Sequence, residues 1–439
     1  MALLTFKKGV HPHDHKELSK ESPIQRFPAP KTVYIPVCQH LGSPSQPVVA
    51  KGDRVKKGTL IAKVTGFVSA NVHSSVSGTV KDIVDIPTVF GNRAPAVVIE
   101  NDGLDEKDYL SPLNSEDRAV LIERIKECGL VGMGGATFPT QVKLSPPPDK
   151  KIDILIINGA ECEPYLTSDY RLMLESPESV IEGARIFLKI LGAQKGYIGI
   201  EANKQDVYEK MDAILKDNSV LKAVLLKTKY PQGAEKQLIY AVTKRKVPAG
   251  GLPMDVGVVV QNSATAVAAY EAVKAGKPLF ERIVTVSGSG INKPANLLVS
   301  TGTLVKDVIE HCGGLTEEAA KVILGGPMMG ISVAELDIPV TKGTSGIVVL
   351  TDKEVQKEEY EACIRCGKCV DACPMNLSPF HYIALGEVKQ YIECEKWRVM
   401  DCMECGSCAY VCPAKRPIVQ FVKIAKQKVL AEIRRRGAK

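Results

Sequence analysis

Residues 363–374 read CIRCGKCVDACP and residues 402–413 read CMECGSCAYVCP. Each copy spaces its thiols CxxCxxCxxxCP: Cys363, Cys366, Cys369 and Cys373 before Pro374, then Cys402, Cys405, Cys408 and Cys412 before Pro413. Thiolate sulfur is the soft ligand that iron–sulfur clusters select, and at this spacing three thiolates wrap one cluster while the fourth reaches its neighbour. The run therefore predicts two 4Fe–4S clusters with crossed ligation. One takes Cys363, Cys366, Cys369 and Cys412, and the other takes Cys402, Cys405, Cys408 and Cys373. Zinc fits poorly, because such sites use two CxxC pairs and each copy here offers three evenly spaced thiols. Disulfides would need an oxidising compartment, and the opening MALLTFKKGV carries no apolar signal region, so a reducing cytoplasm is expected. Of the 13 cysteines, Cys38, Cys128, Cys162, Cys312 and Cys394 stand singly and read as buried small hydrophobes.

Composition bounds the remainder. A chain of 439 residues, 45% hydrophobic and 24% charged, is globular and long enough for about three domains. No apolar run approaches the roughly 20 residues that span a bilayer, so a membrane role would be peripheral. The net charge of +7 gathers partly in the tail, where Lys415, Arg416, Lys423, Lys426, Lys428, Arg434, Arg435, Arg436 and Lys439 face only Glu432. That run reads as a solvated basic helix, or as a docking face for acidic partners or anionic lipid. Nucleic acid is not an expected partner, since aromatics are 5% of the chain and none interleave with the basic run.

Residues 1–115 carry HPHDH at 11–15 and then KGDRVKKGTLIAKVTGFVSANVHSSVSGTVKDI, a series of short strands joined by glycine turns. The pattern resembles the barrel-sandwich fold of biotinyl and lipoyl carrier domains. A carrier needs a lysine at its hairpin tip, whereas the tip here falls near Gly66 and Phe67, so a scaffold without a prosthetic arm is expected. His11, His13 and His15 read as surface or packing residues, because no further metal ligand stands nearby in sequence.

Residues 116–275 alternate strand and helix. SEDRAVLIERIKECG predicts a helix capped by Ser115 and ended by Gly129; KIDILIING is a buried strand; SPESVIEGARIFLKILG is a helix with Ser176 as cap and Pro177 at its first position. KGYIGIE, VLKAVLLKT and VGVVVQ follow as strands, with NKQDVYEKMDAILK, GAEKQLIYAV and NSATAVAAYEAVKAG as helices. The alternation argues a mostly parallel sheet covered on both faces. Two loops carry chemistry. In GLVGMGGATFPTQVK, Gly132, Gly134 and Gly135 allow close backbone approach to an anionic phosphate, with Lys143 as a compensating charge. The run is neither GxGxxG nor a P-loop, and a plain turn is the alternative. In NGAECEPYLTSDYR, Asn158, Glu161 and Glu163 follow a strand's carboxyl end, where open α/β sheets bind ligands; unpaired carboxylates there suit sugar hydroxyls or a carboxamide.

GLVGMGGATFPTQVK, NGAECEPYLTSDYRLM and YPQGAEKQL, together with FKKGVHPHDHKELSKESPI, CQHLGSP and the paired cysteine motif, resemble the C subunit of the Rnf ion-translocating electron-transport complex over nearly the whole chain. More distantly they resemble the flavin-carrying NADH-binding subunit of respiratory complex I. The resemblance implies FMN cradled by Gly132, Gly134, Gly135, Lys143, Asn158 and Asn262, with Tyr230, Gly233 and Glu235 nearby. It implies NAD(H) stacked on the flavin and held by Phe138, Glu161 and Glu163. Met133 stands where the complex I relative has arginine, and Ala234 where it has the first of two glutamates. The implied partners are the membrane and ferredoxin-like subunits of that complex, with ferredoxin reached indirectly, at the cytoplasmic face of the bacterial membrane.

Residues 276–345 predict a small mixed domain, with strands ERIVTVSG and NLLVST and a helix TLVKDVIEHC capped by Thr303 and ended by Gly313. It resembles the soluble-ligand-binding β-grasp domain of both families and is expected to act as a spacer. Residues 346–439 form the two-cluster ferredoxin-like domain with its basic helix. The whole is a multidomain α/β chain: barrel-sandwich-like, Rossmann-like, β-grasp and helical ferredoxin-like. NADH yields two electrons and a 4Fe–4S cluster accepts one, so a flavin between them is needed to split the pair. No residue is required as general acid or base. A soluble NADH-dependent reductase resembling cobalamin reductases, or an electron-transfer adaptor without a working nucleotide site, would be built from the same modules.

Overall fold

The computed structural model describes residues 3–355 and 359–437, so Lys439 of the basic tail lies outside the described residues. Strands Thr32–Pro36, Arg93–Asn101, Gly78–Pro87 and Arg54–Val55 form one antiparallel sheet, and Gln46–Pro47, Leu60–Lys63 and Val72–His73 form a second. Val33, Ile35, Val55, Ile61, Val72, Val80, Val97 and Ile99 pack between them as a small core. Phe67 stands 77% exposed at the tip where a carrier lysine would sit.

The next sheet is wholly parallel, in the order Leu221–Leu226, Lys195–Glu201, Ile154–Gly159, Val258–Asn262. Strands Ile154–Gly159 and Val258–Asn262 are buried almost throughout, as expected where helices cover both faces, and the edge strand Leu221–Leu226 is less so. Helices Arg118–Glu127, Pro177–Leu191, Gln205–Ile214 and Ser263–Lys274 pack on one face, and Glu235–Thr243 on the other. Pro177 opens its helix and Gly192, at φ +63°, closes it. A Cβ on Gly183 would lie 1.9 Å from the carbonyl oxygen of Ala266, so glycine is what lets helices Pro177–Leu191 and Ser263–Lys274 meet. The first helix is capped by Asp117, not Ser115: the Asp117 carboxylate accepts from the amides of Ala119 and Val120, and Ser115 Oγ accepts from Asp117 N instead.

The third sheet has six strands, Ile24–Arg26, Ala295–Ser300, Glu281–Ser287, Gly346–Thr351, Ala319–Leu324 and Ile331–Val333. It draws a strand from the N-terminal segment and another from beyond residue 345, so it exceeds the 276–345 stretch read from the sequence. Thr303 does not cap the helix: its hydroxyl turns back to the Ser300 carbonyl, and the helix runs Val305–His311 behind Leu304. The C-terminal part is short helices around the cysteines, closed by helix Ile418–Gly437, whose Ile418, Val422, Ala425 and Val429 form one buried stripe. The basic tail faces more than Glu432: Arg416 pairs with Glu387, Lys426 with Glu404 and Arg436 with Glu395. Among the described residues no helix is long and apolar enough to cross a membrane.

Candidate functional site

Strand Ile154–Gly159 sends its chain to the left-hand neighbour and Val258–Asn262 joins on its other side, which places the topological switch point between these two strands. At such a point the connecting helices diverge and leave a crevice at the carboxyl ends of the strands. Asn158 and Asn262 are direct partners across that crevice. Asn262 caps the helix behind it, its Oδ1 accepting from Ala264 N at 2.9 Å, while its Nδ2 donates to Asp169 at 2.7 Å. Asn158 Nδ2 donates to the Gly233 carbonyl at 2.7 Å, which ties the acidic loop to the turn at residues 230–233.

The glycine loop closes over the crevice. Gly132 N donates to the Phe138 carbonyl and Thr137 N to the Gly132 carbonyl, so residues 133–137 form a short arch. Thr265 Oγ1 accepts from Met133 N and turns the Met133 side chain into the core, 5% exposed, away from the arch. Gly134 and Gly135 are exposed; a Cβ on Gly134 would come to 3.6 Å from Asn262, and one on Gly135, at φ +104°, would meet nothing within 4 Å. The arch therefore has the open backbone surface that a phosphate-bearing cofactor requires. Lys143 lies at the rim, paired with Glu235 at 2.6 Å, and both side chains remain partly exposed. Fully buried Gln232, in the loop between Tyr230 and Gly233, has neither amide atom hydrogen-bonded among the described residues, the condition of a group that awaits water or a ligand.

The acidic loop departs from its sequence reading. Its carboxylates are not unpaired. Glu161 accepts from the amides of Asp169 and Tyr170 and from Ser168 Oγ, so it caps helix Ser168–Glu175 from outside the helix. Glu163 accepts from the amides of Met328 and Met329 at 3.0 and 2.9 Å, fastening the GGPMMG turn of the six-stranded domain. Two buried lysines that the sequence did not single out hold the loop's carbonyls: Lys16 those of Glu161, Glu163 and Leu166, and Lys204 that of Ala160. Lysine in a charged stretch gives no sign of burial beforehand. Glu161 and Tyr165 sit at φ +47° and +67°, strained conformations kept by these bonds.

Burial pushes the Glu163 carboxyl up to about 7, against the two amides that lower it. A raised acid favours the fold while protonated: its contribution is complete below about pH 4.5 and is lost as pH rises through 7, a change on the order of 3 kcal/mol. The thermal stability of the wild type relative to Glu163→Ala is therefore expected to decline as pH rises from about 5 to about 7. A difference that stays level or grows would refute this.

Tyr230 and Cys162 carry the loop to the cysteines. Tyr230 is 1% exposed and its hydroxyl donates to the Cys405 carbonyl at 2.7 Å. Cys162 accepts from Gly233 N and packs in one apolar cluster with Val10, Tyr230, Cys405 and Met403. It is half-buried, as is Cys38, whereas Cys128, Cys312 and Cys394 are buried.

Cys373, Cys402, Cys405 and Cys408 line a single pocket with Leu377, Pro379, Tyr382 and Val422. Burial and mutual repulsion hold the Cys402 and Cys408 thiols well above their usual range, Cys373 contributing to both. Four thiolates could not share such a pocket alone, and an iron core is the kind of cation that would neutralise them. Leu377 N points at Cys373 Sγ and Glu404 N at Cys402 Sγ, the N–H to sulfur contacts that iron–sulfur sites use. In the other set Cys363 and Cys366 are exposed, and Cys412 lies near enough to Cys369 to raise it further, after burial.

Four stretches match family descriptions: residues 4–104 the RnfC barrel sandwich hybrid domain, 125–271 the Nuo51 FMN-binding domain, 283–332 the SLBB domain and 362–415 the 4Fe-4S dicluster domain. The chain is 51% identical to the C subunit of the proton-translocating ferredoxin:NAD(+) oxidoreductase complex of Clostridium ljungdahlii, over 100% of this chain and 96% of that one. It is 46% identical to the Na(+)-translocating counterpart of Acetobacterium woodii, over 99% and 98%, and 43% identical to the C subunit of the ion-translocating oxidoreductase complex of Rhodobacter capsulatus, over 86% and 74%. Among solved structures, an NAD+-reducing NiFe-hydrogenase in its H2-reduced state shares the fold at a TM-score of 0.51 and 19% identity, over 72% of this chain and 62% of that one. The chain thus belongs to the family of C subunits of Rnf-type, ion-translocating ferredoxin:NAD+ oxidoreductase complexes.

Proposed function

We propose that this chain passes electrons between NADH and the other subunits of such a complex, with FMN in the switch-point crevice and two 4Fe–4S clusters in the C-terminal part. The observation that carries the reading is the shared wall: Tyr230, from a loop at the crevice, donates to the Cys405 carbonyl, and Cys162 packs in the same apolar cluster. Bound FMN would supply the chemistry of taking a hydride and releasing electrons singly.

The chain's own residues then divide as follows. Gly132, Gly134 and Gly135 would offer the phosphate an open backbone, and Lys143, paired with Glu235, would supply its compensating charge. Asn158, Asn262 and Gly233 fix the floor, and Phe138 offers a half-buried ring at the edge of the arch. Glu161 and Glu163 act on the nucleotide through the loops they hold. Cys363, Cys366, Cys369 and Cys412 hold one cluster; Cys402, Cys405, Cys408 and Cys373 hold the other. Residues 1–115, 116–275, 276–345 and 346–439 serve as barrel scaffold, flavin domain, spacer and cluster domain, the spacer's sheet borrowing one strand from each flanking part. We place the protein peripherally at the cytoplasmic face, against membrane and ferredoxin-like subunits that carry electrons on to ferredoxin. Relatives named for proton and for sodium translocation are about equally similar to this chain, which supports an ion choice made by those other subunits.

The test is anaerobic. Protein with reconstituted clusters is assayed for FMN and iron, and its visible spectrum is followed while NADH is added. Flavin bleaching followed by cluster reduction, lost in the Lys143→Ala/Glu163→Ala double variant, is the expected result. About eight irons with no flavin uptake and no response to NADH would leave only an electron-transfer adaptor.

A further inference from the structure

In sequence, His11, His13 and His15 of HPHDH read as surface or packing residues. In the fold, Glu17 joins His13 and His15, with one donor atom from each residue lying within 4.8 Å of the others. The backbone explains why these three converge. Asp14 is drawn inward, its carbonyl accepting from Tyr165 N at 2.8 Å and its carboxylate from Asn203 at 3.0 Å. Lys16 is drawn inward more strongly, 7% exposed, with its ammonium on the carbonyls of Glu161, Glu163 and Leu166. With residues 14 and 16 pinned, positions 13, 15 and 17 are displayed together toward solvent. His15 sits at φ +47°, which curls the chain so that Glu17 returns to 3.8 Å from His15 Nδ1. Its ring lies parallel to Tyr165 at 4.5 Å and 7°, and the Tyr165 hydroxyl is fixed in turn by Glu354 at 2.9 Å. One ligand is thus held by its surroundings; His13, whose Nδ1 accepts from His15 N at 3.4 Å and whose ring lies 4.3 Å from that of His15, and Glu17 are exposed and can close on it, His13 through its Nε2.

We propose that His13, His15 and Glu17 bind a divalent transition-metal ion, zinc in the first instance, as an external clasp on the segment that delivers Lys16. Two imidazoles and a carboxylate suit zinc and leave a fourth position for water. Tetrahedral zinc at its usual bond lengths needs donors about 3.4 Å apart, which rotamer changes in two exposed side chains supply. The site shares no ligand with the flavin crevice or with the cluster thiols.

The eight motif cysteines also attract zinc, so the test uses protein with clusters and flavin loaded, stripped of loose metal and given one equivalent of zinc. Zinc K-edge X-ray absorption is expected to show a nitrogen and oxygen shell near about 2.0–2.1 Å with no sulfur near about 2.3 Å. His13→Ala/Glu17→Ala is expected to bind zinc at least tenfold more weakly in chelator competition, while its iron and flavin contents match wild type. Sulfur in the zinc shell, equal zinc affinity in the double variant, or no zinc retained by the loaded wild type would each overturn the proposal.

Discussion

Cys373→Ser is expected to lower total iron from about eight to about four per chain, and the irons lost are those held by Cys402, Cys405 and Cys408. The pocket lined by these four residues is the reason: Cys373 turns toward the second motif although it belongs to the first. The double variant Cys373→Ser/Cys402→Ser separates this from ligation within each motif. If the two thiols share a cluster, removing both costs no more iron than removing one, and about four irons remain. If each motif closes on itself, the double variant loses both clusters. Non-additivity of this kind is what a shared site produces.

Gly134→Val is expected to weaken FMN binding about 5- to 150-fold with the fold intact. A branched side chain there begins 3.6 Å from Asn262, an ordinary contact, and extends into the space between arch and floor. Overpacking a close-fitted site costs about 1–3 kcal/mol, which sets the range. Gly135→Val is a poorer probe, since φ +104° strains any branched residue and would confuse lost binding with lost folding. Flavin fluorescence titration of the cluster-loaded protein measures the effect, and FMN affinity unchanged in Gly134→Val would remove the arch from the cofactor site.

The strands and helices of the flavin domain were legible because their apolar periodicity and glycine or proline punctuation are local signals, and the cysteine spacing is stronger still. What escaped was relational. Asp117 and Ser115 are both competent caps two residues apart, and only the helix's start decides between them. Thr303 looked like a cap because a hydroxyl preceded an apolar run, yet the Ser300 carbonyl claimed it. Glu161 and Glu163 looked available for ligand because their partners, the amides of residues 169–170 and 328–329, lie up to 166 positions away. Buried Lys16 gave no compositional hint, since it donates to main-chain carbonyls, and buried Lys204 divides its ammonium between the Ala160 carbonyl and the equally buried Glu201 carboxylate. Met133, where a relative has arginine, is turned inward by a bond from its own amide to Thr265.

The joint at Tyr230 also has a history in time. Val10 pairs with Tyr230, Gly9 N donates to the Ala372 carbonyl, and Lys8 reaches the Val370 carbonyl 362 residues away. At ribosomal rates of about 5–20 residues per second, the first ten residues wait roughly 20–70 s before their last partners exist. During that interval the earliest-made part of the chain is held by its early contacts alone. Until residues 370–372 are made, Lys8 and Gly9 stand without these acceptors, while Leu4 and Val10 already have their partners at Leu226 and Tyr230 in the flavin domain.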